Sequence, residues 1–338
     1  MFENVFIIAE AGVNHNGNEK LAFKLIDAAA ETGAAAVKFQ NFITEELVTK
    51  DAPKAKHHLD NLEEKVSHFE MLKSLELSQE TIAGLKKYCE KKGILFMCTP
   101  YDIKSTEFLL SMNLPVYKVA SSEFTNYQML DLLRNQPNHI ILSCGMSSME
   151  EVEDIIDFVS EKNKNISLCQ CTTNYPVDFK NINLNVIKTF IANFPEIKIG
   201  FSDHSKGIEA SVAAVALGAV IIEKHLTLDR NLPGPDHRGS LEPLEFKSLV
   251  NSIRNVELAL GSGKKEILDC ENQTRAAMKK SAFAARDIKK GEILKMSDLK
   301  FLRPGSGIDY KMILTLLGKK FIKDVLADER IKIEILES

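Results

Sequence analysis

Two histidines occupy matching places in the stretch 197–237. The β-branched runs 197–201 and 220–224 flank an Ala-rich helical segment, and each run ends in a polar cluster holding one imidazole, His204 or His225. Parallel strands in a barrel or open sheet bring their carboxyl ends to one face, so the two side chains converge although a helix separates them. Neutral imidazoles beside carboxylates such as Asp203 and Glu223 suit zinc or another divalent transition metal. The alternative is a pair of hydrogen-bonded strand-end histidines.

The same pattern recurs along the chain. Apolar runs end in Glu10 with Asn14 and His15; Lys38 and Gln40; Thr99; Lys118, Ser121 and Glu123; Ser143; Thr172, Thr173 and Tyr175; Ser202, Asp203 and His204; Glu223 and His225. Eight polar ends in succession fit a charged ligand better than chance solvation. Lysines and hydroxyls around one mouth form a cradle for a phosphate or carboxylate anion. A metal with few protein ligands keeps open positions for substrate oxygens and acts as a Lewis acid. A rival chemistry uses Lys38, Lys118 or Lys224 as a Schiff-base amine, in which case two histidine ligands are unneeded.

The elements that must position these residues follow from periodicity. Apolar runs at 5–9, 36–39, 94–98, 116–119, 140–143 and 167–171 read as strands, each followed by a segment of helical spacing, and the two runs beside His204 and His225 bring the number of strands to eight. Ser148 with Glu151 fits a capping box at one helix start. Eight alternating βα units predict an α/β fold, a (β/α)8 TIM barrel. The charged connection 41–66 is too long for an ordinary βα loop and is a candidate lid. Residues 1–262 form the predicted barrel, 263–280 a linker, and 281–338 a small β-rich domain with short runs and few long helical patterns.

A net charge of −4 over 338 residues argues against a nucleic-acid partner. The six cysteines show no CxxC spacing and read as free thiols of a reducing cytoplasm. No run approaches the length of a membrane span, and the amino terminus has no basic region followed by an apolar core. These features predict a cytoplasmic location and no membrane partner.

The motifs IIAEAGVNHNG, VKFQ, CTPYD, YKVASSE, ILSCGM, CTTNYP, GFSDHS, IEKHLTLD and PGPDH, in this order, closely resemble the bacterial sialic acid synthase family, which makes nonulosonic acids. DIKKGEIL and FLRPGSG in the tail resemble the antifreeze-like (SAF) domain that ends these enzymes. The resemblance implies a metal-dependent condensation of phosphoenolpyruvate with an N-acetylmannosamine-type sugar and water, releasing phosphate by carbon–oxygen cleavage. Carried over by motif, His204 and His225 would hold Mn2+ or Mg2+. Lys38, Thr99, Lys118, Ser121, Ser143, Thr173 and Ser202 would surround phosphoenolpyruvate. Gln40, Tyr175 and Asp236 would line the sugar side, with Glu10, Glu123 and Asp236 as the catalytic carboxylates. Arg303 would contact the sugar acyl group in the barrel of a partner, which implies a domain-swapped homodimer.

Two positions depart from the family pattern. Ser121 and Ser122 replace a SerGly pair, and Thr173 stands where some members carry asparagine. The resemblance favours N-acetylneuraminate synthase, with N-acetylmannosamine as acceptor. A legionaminate synthase using 2,4-diacetamido-2,4,6-trideoxymannose is the alternative within the family. PGPDHRGS speaks against the pseudaminate branch. A Schiff-base aldolase and a non-catalytic carbohydrate-binding barrel are the readings from other classes.

Overall fold

The computed structural model describes residues 3–53 and 66–337. The chain forms two compact units, Met1–Gly261 and Ser262–Ser338.

In the first unit strand and helix alternate: β1 (Phe6–Gly12), α1 (Glu19–Thr32), β2 (Ala36–Asn41), a short α2 (Thr44–Leu47), α3 (His68–Leu75), α4 (Gln79–Lys92), β3 (Leu95–Pro100) and α5 (Ile103–Ser111). The alternation continues with β4 (Val116–Val119), α6 (Tyr127–Arg134), β5 (His139–Ser143), α7 (Met149–Ser160), β6 (Ile166–Cys171), α8 (Asn185–Asn193), β7 (Lys198–Asp203), α9 (Glu209–Ala216), β8 (Ile221–His225) and α10 (Pro243–Leu260). The strands are parallel in the order β3-β2-β1-β8-β7-β6-β5-β4. Packing of β3 beside β4 completes the ring of a TIM barrel. Local sequence supports several helix starts: Asn18 caps α1, and Ser148 with Glu151 makes a reciprocal capping box on α7. Residues 54–65 of the candidate lid lie outside the described residues.

Alternation along the strands divides the barrel into layers. Phe6, Ile8, Ala36, Met97, Val116, Ile141, Cys169 and Ile221 form an apolar inner cluster. Two residues beyond Ile8, Ala36, Met97, Val116, Ile141 and Ile221 the inward positions turn polar. The outward residues, among them Ile7, Phe39, Leu142 and Phe201, pack against the buried helix faces in the main core. Gly200 is required where β7 passes inside, because a Cβ there would meet Cys169 Sγ and Ile221 Cβ, each at 2.7 Å.

The second unit begins with residues that are exposed throughout, including α11 (Asn272–Met278), a helix inside the segment expected to be a linker. Strands β9 (Ser281–Ala284) and β10 (Leu299–Leu302) pair antiparallel, and single bridges such as Ile288 to Val325 extend the β texture. Ala282, Ile288, Phe321, Val325 and Ile331 lie in its own core, beside α12 (Tyr310–Leu316). Among the described residues no helix is long and apolar enough to cross a membrane.

Candidate active site

The second inward layer of the barrel is a connected polar ring. Lys38 Nζ sits 2.9 Å from Glu10 Oε2 and donates to Thr99 Oγ1 at 2.9 Å. Gln40 Nε2 donates to the other Glu10 oxygen at 2.9 Å. On β4 and β5, next in the ring, Lys118 Nζ donates to Ser143 Oγ at 2.8 Å. Between the two ammoniums lies Glu223, with Oε1 at 3.7 Å from each and accepting from Ser202 Oγ at 3.2 Å. All these charged groups are buried. Period-two spacing explains the set, since Ile221, Glu223 and His225 share the inward face of β8 and Ser202 is the register partner of Glu223.

Burial alone would neutralise the ring; its opposite charges prevent that. Burial presses the Lys38 pKa down, but Glu10 and Glu223 outweigh it and hold Lys38 above its ordinary value. For Glu223 burial acts upward, and Lys118 and Lys38 override it, keeping the carboxylate below its usual range. Glu10 is pushed up, chiefly by burial. A Schiff-base amine must be neutral at work, whereas Lys38 is stabilised as a cation. Lys224 is not at this mouth: its ammonium points outward to Asp203 at 2.9 Å.

Above the ring, the His204 and His225 rings lie 5.5 Å apart at 63°, with the Tyr175 ring 4.0 Å from His204 and 5.6 Å from His225. His204 Nδ1 is 3.0 Å from the Thr172 carbonyl and 3.7 Å from Cys171 Sγ. A carbonyl only accepts, so Nδ1 carries a proton and Nε2 is the nitrogen at which a cation and a second proton compete. Burial disfavours charge on His204, but Cys171 and Thr172 hold its pKa above the ordinary histidine value. Burial, then His204 and the lysines, drives His225 well below it, leaving that imidazole neutral. His225 Nδ1 is buried with no hydrogen-bond partner among the described residues, and the nearest carboxylate oxygen is Asp236 Oδ2 at 3.7 Å. Burial, reinforced by Glu10, pushes Asp236 up to about 6.

These donors fit a divalent cation that rests on two imidazoles and completes its shell from substrate oxygens and water. Among the described residues no group of three or more His, Cys, Asp or Glu side chains is arranged to hold a metal by itself.

A cavity of about 300 Å3 opens on these groups. Gln40, Ser121, Thr173, Tyr175, His225 and Asp236 form its polar side. At Gly145 the backbone N–H donates to Ser121 Oγ at 3.0 Å, and a Cβ there would meet Thr173 Oγ1 at 2.3 Å. Glycine is therefore what lets the Ser121 and Thr173 hydroxyls close in on the backbone at this point. The other side is apolar, built from Phe42, Leu47, Val48, Met71, Leu72 and Leu75, with Tyr101 packed edge-on against Phe42.

Glu10, Lys38, Gln40, Thr99, Lys118, Ser143 and Ser202 are thus linked directly or through Glu223, and Ser121, Thr173, Tyr175, Asp236 and His225 line the cavity beside them. Glu123 lies half-buried in the turn after β4, its carboxylate accepting from Asn126 Nδ2 at 2.8 Å. Arg303 belongs to the second unit, where it is exposed and its Nε donates to the Met278 carbonyl at 3.0 Å. At the strand-end residues Asn14 and His15, Asn14 Nδ2 donates to the Leu226 carbonyl and Ser240 Oγ and His15 Nδ1 accepts from Gly17 N, while Asn14 Oδ1 and His15 Nε2 are buried without a hydrogen-bond partner among the described residues. Cys171, Tyr101 and the apolar side were not among the expected site residues, and Glu223 was expected only as a strand-end carboxylate beside the histidines. Of the six cysteines, five are buried and Cys270 is exposed.

A family model described as the NeuB family matches residues 25–265, and one described as the SAF domain matches 279–335. The chain is similar to N,N'-diacetyllegionaminic acid synthase of Legionella pneumophila, 41% identical over 338 residues, covering 98% of this chain and 95% of that protein. It is similar to N-acetylneuraminate-9-phosphate synthase of Homo sapiens, 37% identical over 335 residues, covering 98% of this chain and 93% of that one. The crystal structure of N-acetylneuraminic acid synthetase from Leptospira borgpetersenii, in complex with citrate, superposes with a TM-score of 0.72 at 36% identity, covering 80% of this chain and 90% of that chain.

Proposed function

The chain belongs to the NeuB family of nonulosonic acid synthases, and from that membership we propose that it condenses phosphoenolpyruvate with an N-acylated mannosamine-type sugar and water, releasing phosphate. The observation that carries this reading is the buried polar ring, in which two lysines converge beside two histidines.

In this mechanism Lys38 with Thr99, and Lys118 with Ser143 and Ser202, receive the anionic groups of phosphoenolpyruvate. The Ser121 and Thr173 hydroxyls, which line the cavity, take phosphate oxygens. Glu223 keeps the two ammoniums aimed at the mouth before the anion arrives. His204 and His225 would hold Mn2+ or Mg2+, which supplies a Lewis acid for the sugar aldehyde when bound. Gln40, Tyr175 and Asp236 orient the open-chain sugar. As carbon 3 of phosphoenolpyruvate attacks the aldehyde carbon, Asp236, partly protonated near neutrality, gives its proton to the developing alkoxide. Positive charge then grows on carbon 2, where the Glu10 and Glu223 carboxyl groups face it. Water adds there and passes a proton to Glu123. The tetrahedral adduct expels phosphate with the bridging oxygen.

Of the two acceptors expected from the sequence, the apolar side of the cavity suits 2,4-diacetamido-2,4,6-trideoxymannose. Its carbon 6 methyl and second acetyl methyl meet Leu47, Met71, Leu72 and Leu75, where N-acetylmannosamine would bury hydroxyls without partners. Legionaminate synthase is therefore the reading proposed, ahead of the N-acetylneuraminate synthase favoured by the resemblance. The Leptospira relative, an N-acetylneuraminic acid synthetase, supports N-acetylmannosamine as the second reading.

The functional division proposed is a catalytic barrel at 1–262, a connecting segment at 263–280 and an antifreeze-like domain at 281–338, in a cytoplasmic domain-swapped homodimer. Arg303 would reach the acyl group in the partner's barrel, so Arg303→Ala raises the sugar KM; an unchanged KM counts against the swap. The reaction itself is tested by phosphate release from phosphoenolpyruvate with each acceptor, with and without chelator. The expected result is chelator-sensitive release with about a 10-fold preference for the trideoxy sugar. A preference for N-acetylmannosamine selects the second reading, and no release with either contradicts the reaction.

A further inference from the structure

Strands β7 and β8 carry a second polar cluster, on their outward face. Asp203 and Lys224 are register partners, and their side chains, both fully buried, pair at 2.9 Å. Both oxygens of Asp203 are engaged twice. Oδ1 accepts from the backbone N–H and hydroxyl of Ser205 at 2.8 and 2.7 Å. Oδ2 accepts from Ser211 Oγ of α9 at 2.6 Å in addition to Lys224. Lys224 Nζ also donates to the Ser205 carbonyl. The residues so tied are chain neighbours of the two imidazoles: His204 lies between Asp203 and Ser205, and His225 follows Lys224.

Burying two charges is costly, and an apolar pair of similar volume often fills such a space equally well or better. The ion pair is therefore poorly explained by stability alone. We infer that Asp203, Lys224 and Ser211 form a clamp that positions His204 and His225 from behind the barrel wall. The clamp fixes the backbone on both sides of His204 and immediately before His225, while α9 anchors it to the helix layer through Ser211. A cation held by only two protein donors depends on their spacing, since ligand distances must match within about 0.2 Å. None of the three clamp residues touches substrate or metal; they act through the histidines. The inference rests on the metal assignment proposed above.

The test is Mn2+ binding to chelator-stripped full-length protein, followed by the paramagnetic resonance signal of free Mn2+ and paired with Tm. Removing one charge would strand the other, so the main variant is the double substitution Asp203→Asn with Lys224→Met. Ser211→Ala is the mild variant, and Lys224→Arg the conservative rescue that keeps the ion pair. The expected result is about a 10-fold weaker Mn2+ affinity for the double variant at a Tm close to wild type, as for other groups that orient metal ligands. Ser211→Ala loses about 3-fold, and Lys224→Arg stays within about 2-fold of wild type. Folded variants that all bind Mn2+ with wild-type affinity overturn the clamp alone. If the double variant does not fold, Ser211→Ala against Lys224→Arg decides: a loss in the first only supports the clamp, and equality overturns it. A wild-type protein that binds no Mn2+ overturns the metal assignment and the clamp together.

Discussion

On the inward face of β7 and β8, Glu223 Oε2 and His225 Nδ1 are buried without a hydrogen-bond partner among the described residues, whereas on the outward face of the same strands both oxygens of Asp203 are engaged. The two faces lie on alternate residues of one ladder and use the same chemical types, carboxylate, lysine and serine. Buried polar groups are normally satisfied, so an incomplete set marks a place prepared for a ligand, and a complete set marks a structural tie. Inward substitutions should then cost chemistry with little stability, and an outward substitution that strands one charge of the buried pair should cost stability first.

The largest effect expected on the inward face is from His225→Ala. It should lower metal-dependent phosphate release by on the order of 10^3-fold while the circular dichroism and Tm stay near wild type. A large fall in Tm would break the contrast. Asp203→Ala is its outward counterpart: it leaves the Lys224 ammonium buried and uncompensated, and should cost about 3–5 kcal/mol in urea unfolding. A loss below about 1 kcal/mol would place Asp203 among ordinary exposed pairs.

Asp236→Asn tests the inward face through pH. The folded protein holds the Asp236 proton up to about 6, against an ordinary value of 3.8. Its proton-linked contribution is therefore fully present below 3.8 and lost as pH rises through about 6. In chelator-treated protein the asparagine variant should be more stable than wild type at pH 8, by up to about 3 kcal/mol, with the gain shrinking toward pH 4. A gain independent of pH would show that Asp236 is not a buried acid.

Glu223→Gln removes one of the carboxylates that balance Lys38 and Lys118. Phosphoenolpyruvate should bind more tightly in the ground state, with a lower KM, while kcat falls by about 10^2-fold. A raised KM would mean that Glu223 contacts the substrate favourably rather than holding its place. The smallest effect concerns the apolar side of the cavity. Leu72→Asn should reduce the preference for the trideoxy acceptor over N-acetylmannosamine by about 10-fold, measured as the ratio of kcat/KM values.

Much of this architecture is legible in the sequence because parallel strands and helices have different apolar periods and lengths. Polar residues accumulate at strand ends, where the mouth opens. The capping box at Ser148 is local chemistry and reads directly. Glu223 is less legible as a site residue: β8 is buried on both faces, so IIEKH shows no simple alternation to separate an inward glutamate from an outward lysine. Only the register with Ser202 and Asp203 settles which side each takes. Asn14 and His15 are divided: Asn14 Nδ2 and His15 Nδ1 close loops, whereas Asn14 Oδ1 and His15 Nε2 are buried without a hydrogen-bond partner among the described residues. The apolar side of the cavity is hidden for another reason. Leu47, Met71, Leu72 and Leu75 lie on α2 and α3, and tertiary packing alone brings these helices to the mouth.

The most direct measurement of the proposed chemistry is the fate of the bridging oxygen of phosphoenolpyruvate. With 18O at that position, the chain incubated with Mn2+ and the trideoxy acceptor should deliver the label to inorganic phosphate, because water adds at carbon 2 and the carbon–oxygen bond breaks. Label retained in the sugar product would mean attack at phosphorus, and would contradict the assignment of the polar ring to a tetrahedral carbon centre.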